Sequence, residues 1–408
     1  MADIRPFCGL RPRNDLAHRI IAPPYDVLSV EEAKAIAGPN PQSFLHVTRP
    51  EVDLSEGVDA HGPAAHAKAR ENLDAFQDQG WLVQDEVPCF YLYRQTWKGR
   101  TQTGLMAACS VAEYDGGQIK RHELTRPDKE QDRVDNMESL DAQPGLVFLA
   151  YRDNSEAIRE AMKLASALPV AWTVTTDDAV EHALTVVDNP TIVAQLQEAF
   201  AAHPSLYVAD GHHRSAAASR VCAARNGSGS SGWFLAGLFP DSELEVLAYN
   251  RVVRDLNGHT PDAFMKALSE HFIVTPTSTS RPVKRGRWTM YMAGQWFDLS
   301  ARAGVVDADD PVGCLDVAVL QDRVLGPILG IDNPRTDQRI AFVGGIRGHK
   351  ALSKRVDRGD AMVAFHMYPT GMDQLFAVAD AGELMPPKST WFEPKLRGGV
   401  VLHRITGD

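Results

Sequence analysis

The chain has 408 residues, more than one ordinary hydrophobic core accommodates, so two domains or one heavily inserted domain are expected. Hydrophobic residues make up 44% and charged residues 23%, the balance of a folded globular protein and not of a disordered one. The formal charge of −11 argues against a nucleic-acid partner, because phosphate backbones are held by basic surfaces, although one local basic pocket for a small anion stays compatible with it.

Residues 1–20 lack the uninterrupted apolar stretch of a signal peptide, and no later run approaches membrane-spanning length. Cys8, Cys89, Cys109, Cys222 and Cys314 are scattered, without a CxxC pair or a framework spacing. A cytoplasmic protein is expected, with no membrane contact, no structural disulfide and a small molecule as its partner. Its oligomeric state is left open.

The first 60 residues are dense in loop signals, among them Pro23-Pro24-Tyr25-Asp26, Gly38-Pro39-Asn40-Pro41 and Arg49-Pro50. Such stiffened polar loops are either connecting structure or the rim of a site. Tyr25 and Arg49 are candidate substrate-binding residues here, since a guanidinium fork suits a substrate carboxylate. Ala65, Ala69, Leu73 and Phe76 recur at helical spacing and predict a helix that stops at Gly80. Residues 89–96 and 101–113 predict a hairpin turning at Lys98-Gly99, and Asp115-Gly116-Gly117 then delivers the chain into 119–125. Residues 126–141 carry both charge signs and are expected to be partly helical. Their Glu130–Arg133 stretch reads as a metal-binding carboxylate or, preferably, a salt-bridged helix face.

Short strands are expected at 146–151 and 170–175. Asn189-Pro190 opens a helix with Ile192, Leu196 and Phe200 inward. A strand at 206–209, an alanine-rich helix at 215–225 and a flexible loop at 226–232 follow. Strands at 233–239 and 244–254 lead to Asn257-Gly258, after which the pattern changes. A helix at 261–272, a hairpin around Ala293-Gly294, a helix near 315–325, strands near 340–346 and 361–367 and a helix carrying Met372, Leu375, Phe376 and Ala379 complete the chain. The expected organisation is a mixed α/β protein with a core domain at 1–255 and a C-terminal α+β domain at 256–408.

The turn Asp210-Gly211-His212-His213-Arg214 sits between an apolar strand and an apolar helix. Gly211 permits a tight backbone path and close approach of a ligand. Helix-start N–H groups and the macrodipole favour an anion there, and Arg214 and His213 can add donors. Asp210 can cap the helix, orient a histidine or coordinate a magnesium ion. A zinc site on the histidine pair competes with this reading. Adjacent histidines usually point apart, Arg214 would repel a dication, and no HExxH or cysteine cluster supports it.

Lys120, His122 and Glu123 form a second polar group. If 119–125 were a continuous strand, Lys120 and His122 would share one face and Glu123 the other. Lys388, Ser389 and Thr390 follow a double proline and have the composition of an anion-gripping loop, without the glycines of a P-loop.

The Asp210–Arg214 turn resembles the phosphate-binding turn of the ParB/sulfiredoxin-like superfamily, which includes free-serine kinases. The whole chain resembles a family of roughly 400-residue microbial proteins through Ala22-Pro-Pro-Tyr-Asp-Val27, Lys120-Arg-His-Glu-Leu-Thr125, Tyr207-Val-Ala-Asp-Gly-His-His-Arg214 and Pro386-Pro-Lys-Ser-Thr-Trp391. The resemblance implies a ParB/sulfiredoxin-like core and a magnesium-dependent kinase that converts L-serine to O-phosphoserine, with ATP, ADP or pyrophosphate as donor. It implies Glu123 as catalytic base, with Asp210 and His212 as further catalytic residues. Gly211, His213, Arg214, Lys120, His122, Lys388, Ser389 and Thr390 would bind phosphate. A ParB-like nucleotide-binding or nucleotide-hydrolysing regulator and a metal-dependent hydrolase using the histidine pair are the alternatives.

Overall fold

Period-2 and period-3.6 apolar patterns alternate along the chain, and the computed structural model is accordingly a mixed α/β protein. It describes residues 2–55 and 57–405. The chain divides into two units, 1–244 with 394–408, and 245–393. No helix among the described residues is long and apolar enough to cross a membrane.

The first unit is built on a nine-stranded mixed sheet. Its strands follow the order Ile119–Lys120, Leu206–Asp210, Val147–Tyr151, Trp233–Pro240, Arg100–Ser110, Phe90–Trp97, Glu181–Val187 and Trp172–Thr175, with Ile4–Arg5 added beside Arg100–Ser110. Alternation sorts the side chains: Leu105, Ala107 and Cys109 share a buried cluster with Phe90, Leu92, Val147, Leu149, Val208, Ala236 and Leu238. Helices Glu156–Ser166, Pro190–Ala201 and His212–Ala224 join that cluster through Ile158, Leu196, Phe200, Ala217 and Val221. Asn189 caps the second of these, its side-chain oxygen accepting the Thr191 N–H at 3.0 Å.

A second cluster joins Leu10, Ile20, Phe44, Leu45 and Val47 from the proline-rich start to Ala69, Leu73 and Phe76 of helix Pro63–Asp78. The tail also belongs to this unit: Leu10 pairs with Leu402, Ala22 with Gly398, and His403–Arg404 with Ala142–Gln143. This differs from the expected C-terminal domain at 256–408, which includes the tail. Its partners lie hundreds of residues upstream, beyond any local pattern. Helix Glu156–Ser166 and strand Glu181–Val187 were also not anticipated. In the 226–232 run, Gly229–Gly232 forms a 3-10 turn with Ser231 buried, so that stretch is only partly loop.

The second unit carries a six-stranded antiparallel sheet in the order Phe272–Thr277, Gln295–Ala301, Arg287–Met292, Val363–His366, Tyr249–Val253 and Ile340–Gly344. Helices Pro261–His271, Gly348–Asp357 and Met372–Asp380 belong to it.

Gly104 marks a tight place in the first sheet. A Cβ added there would stand 2.3 Å from Cζ of the fully buried Phe239. Gly104→Ala is therefore expected to overpack the sheet and cost about 1–3 kcal/mol. Urea titration should show a lower midpoint at unchanged slope; an unchanged midpoint would mean that the Phe239 ring has room to move.

Candidate functional site

The site begins with two strands that run the same way. Leu206–Asp210 pairs in parallel with Ile119–Lys120, with Leu206 opposite Ile119 and Tyr207 opposite Lys120. Parallel strands end at the same edge of a sheet, where α/β proteins commonly hold their ligands. Both chains leave the sheet at that edge. The first strand stops at Lys120 and the chain bends at Glu123. Strand alternation therefore does not separate His122 from Glu123, as a longer strand would have done. A register shift between Val208 and Asp210 likewise loosens the second strand just before the turn.

At the turn, Gly211 has φ +94°, the left-handed region that favours glycine. A Cβ at this position would also meet the Arg214 guanidinium, 3.1 Å from Nε. The backbone conformation thus favours glycine, and a side chain would in addition have to displace the guanidinium by a few tenths of an ångström. Arg214 lies over the turn with Nη1 donating to the Leu146 carbonyl. Asp210 accepts from Lys395 Nζ at 3.1 Å through one oxygen and from the Gly211 N–H at 2.9 Å through the other. Burial alone would raise the Asp210 carboxyl, but Lys395 and Arg214 outweigh it and hold the group well below the ordinary carboxylate range.

These contacts revise three expectations. The Gly211 N–H is occupied by Asp210, so an anion would meet the N–H groups of His212 and His213 in the first helical turn instead. Asp210 is engaged on both oxygens, which leaves it poorly placed as the metal ligand or proton acceptor it was expected to be. Its ionised state is what Lys395 stabilises. His213 does not face the anion position through Nε2, which accepts the Arg126 N–H at 3.0 Å where helix Pro127–Leu140 begins.

His212 turns the other way. Its ring meets His122 edge-on, with centroids 4.5 Å apart. His122 donates to the Val208 carbonyl, and burial pushes it down to about 4 despite that bond and the nearby Asp210 charge. Burial also lowers His212 well below the ordinary histidine range, with His122 adding to the effect. Both imidazoles are neutral at pH 7. Glu123 completes the group: one ligand atom from each of His122, Glu123 and His212 lies within 4.8 Å of the others. The adjacent histidines thus do point apart, and the close pair is His122 with His212.

Other expected residues are used elsewhere. Arg49 donates to Glu51 and to the carbonyls of Tyr25 and Leu28, at 2.7 and 2.8 Å for the latter two, which staples the proline-rich loop instead of leaving the fork for a substrate carboxylate. Tyr25 lies under the Arg133 guanidinium, 4.2 Å from its ring centre. Arg133 in turn is ion-paired with Asp132, which also accepts from His61 at 2.8 Å. Glu130 pairs with Arg220 as well, so this stretch is a salt-bridged helix face as its charge suggested, with Asp132 and Arg133 buried in it. Lys120 Nζ stands 5.9 Å from the centre of the Tyr207 ring. Lys388, Ser389 and Thr390 belong to the second unit. There the Ser389 hydroxyl donates to the Pro386 carbonyl at 2.6 Å, and Lys388 Nζ lies 5.6 Å from the centre of the Tyr249 ring.

A family model described as a protein of unknown function, DUF1015, matches residues 4–318. The chain belongs to this family. The DUF1015 match takes in His122, Glu123 and the whole Asp210–Arg214 turn, but stops before Lys395. No curated protein matches the chain. Among solved structures, free serine kinase in complex with AMP is similar at 10% identity and TM-score 0.35, covering 71% of this chain and 86% of that one. SbnI with C-terminal truncation from Staphylococcus aureus is similar at 11% identity and TM-score 0.39, covering 72% and 85%. A conserved hypothetical protein from Pyrococcus furiosus reaches 11% identity and TM-score 0.35, covering 74% and 95%. Scores this low assign neither substrate nor activity to the DUF1015 chain.

The Asp210–Lys395 pair is testable by a double-mutant cycle with Asp210→Asn and Lys395→Met. The two side chains are 34% and 21% exposed, so solvent screens the pair only in part. A coupling of about 0.5–3 kcal/mol is expected from chemical denaturation. Strictly additive losses would show that the contact contributes nothing to the turn.

Proposed function

We propose that this protein transfers a phosphoryl group to the hydroxyl of a small metabolite. The observation that carries the reading is the gathering of Arg214 and the Lys395–Asp210 pair around the first turn of a helix that starts at a left-handed glycine. Phosphoryl transfer asks little covalent chemistry of a protein. It needs cations and N–H donors around the moving group, and a site where the acceptor loses its proton.

Arg214 supplies a planar donor fork, of which Leu146 occupies one nitrogen. Lys395 supplies a second cation that Asp210 keeps in place. The N–H groups of His212 and His213 and the helix dipole add to the attraction for a phosphate. Acceptor activation belongs on the other side of the turn, among His122, Glu123 and His212, where a carboxylate and two neutral imidazoles meet. The donor is ATP, ADP or pyrophosphate, carried with Mg2+. The resemblance of the turn to those of free-serine kinases makes L-serine the first acceptor to test.

The deciding experiment incubates the purified protein and Mg2+ with ATP, ADP or pyrophosphate and a panel of hydroxylated metabolites that includes L-serine. Phosphorylated product is expected with at least one pair. Donor hydrolysis that ignores every acceptor would favour a nucleotide-hydrolysing regulator instead. In the same assay, Arg214→Ala should weaken donor binding by about 2–3 kcal/mol, the scale of a charged hydrogen bond lost from a site. A folded Arg214→Ala protein with wild-type donor affinity would remove this residue from the phosphate.

A further inference from the structure

Among the described residues of the first unit, four buried side-chain nitrogens have no hydrogen-bond partner, on Trp172, His203, His122 and His212, and the last two, Nδ1 of His122 and Nε2 of His212, belong to rings that meet. These two histidines are only 2% and 6% exposed, so bulk water does not solvate them. An unsatisfied buried polar atom costs about 1–3 kcal/mol, and these two belong to rings with centroids 4.5 Å apart, where a single bound ion would satisfy both. The third member, Glu123, brings a carboxylate oxygen that lies within 4.8 Å of one ring nitrogen of each histidine.

We propose that His122, Glu123 and His212 bind a divalent first-row transition ion of the zinc class. His122 bonds the Val208 carbonyl and keeps Nδ1 without a partner, and a carbonyl acceptor behind a ligating histidine is the usual outer partner. Two imidazoles with one carboxylate favour zinc and its neighbours over magnesium or calcium, whose ligands are oxygens. Ligands about 2.1 Å from a tetrahedral ion stand about 3.4 Å apart, so the trio must close by no more than about 1.5 Å. Lys395 is compensated by Asp210, and Glu123 adds one negative charge to the site itself.

Three protein ligands leave a coordination position open for an oxygen of a substrate. Glu123 is then a ligand, and not the base that resemblance implied. The binding site stands on its own geometry. Only its role in activating an acceptor rests on the phosphate-transfer reading.

The test uses the full chain, stripped with a chelator and titrated with Zn2+ by calorimetry and with Co2+ by visible absorption. One Zn2+ per chain is expected, together with the d–d bands of four- or five-coordinate Co2+. Excess Mg2+ should displace neither. His122→Ala and His212→Ala should each abolish the Co2+ bands, and Glu123→Gln should weaken Zn2+ by about 100-fold or more, beyond the usual effect of an outer-shell partner. Absence of a Zn2+ equivalent in the wild type would overturn the proposal. So would wild-type Zn2+ affinity in Glu123→Gln, a near-isosteric change that keeps the fold testable should the alanine variants fail to fold. Zn2+ binding without phosphate transfer would sink only the functional reading. Phosphate transfer with Mg2+ and no Zn2+ binding would sink only this one.

Discussion

A parallel pairing of two residues with two others decides what this site contains. Ile119–Lys120 lies beside Leu206–Tyr207 at one end of the nine-stranded sheet, and both chains run toward the same edge. An antiparallel pairing of the same segments would carry His122 and Glu123 away from the Asp210 turn. Because the pairing is parallel and the first strand stops at once, His122 and Glu123 both arrive where His212 begins its helix. Short strands and a local register shift are weaknesses in a sheet, and here they release side chains that regular alternation would have kept apart.

Electrostatics then divides the site into two halves. On one side, charge is retained by pairing: Asp210 stays ionised because Lys395 and Arg214 compensate it. On the other, burial disfavours charge, and His122 and His212 each keep one ring nitrogen without a hydrogen-bond partner. The first half suits an anion and the second a Lewis acid or a proton. Gly211 joins them, in a left-handed conformation that side chains rarely adopt and close against the Arg214 guanidinium.

Much of this was legible from the residues. The strand–turn–helix around Asp210, the helix Pro63–Asp78 with its four buried apolar residues and the capped start at Pro190 all follow from local patterning. His122 and Glu123 were also marked as chemically capable. What local patterning could not supply was partnership. Lys395 lies 185 positions from Asp210, and the edge-on meeting of His122 with His212 depends on a strand pair that neither segment announces. Arg49 and Asp132–Arg133 teach the converse lesson. A guanidinium able to grip a substrate carboxylate is equally able to staple a loop through Glu51 and two carbonyls, and a charged stretch can be buried when its members pair with each other.

Phosphate binding at the Gly211 turn can be read from a crystal structure at saturating pyrophosphate. A phosphate group is expected within hydrogen-bond reach of the His212 and His213 N–H groups, Arg214 and Lys395. An unchanged Asp210–Lys395 contact beside an empty turn, with pyrophosphate ordered elsewhere or nowhere, would contradict it.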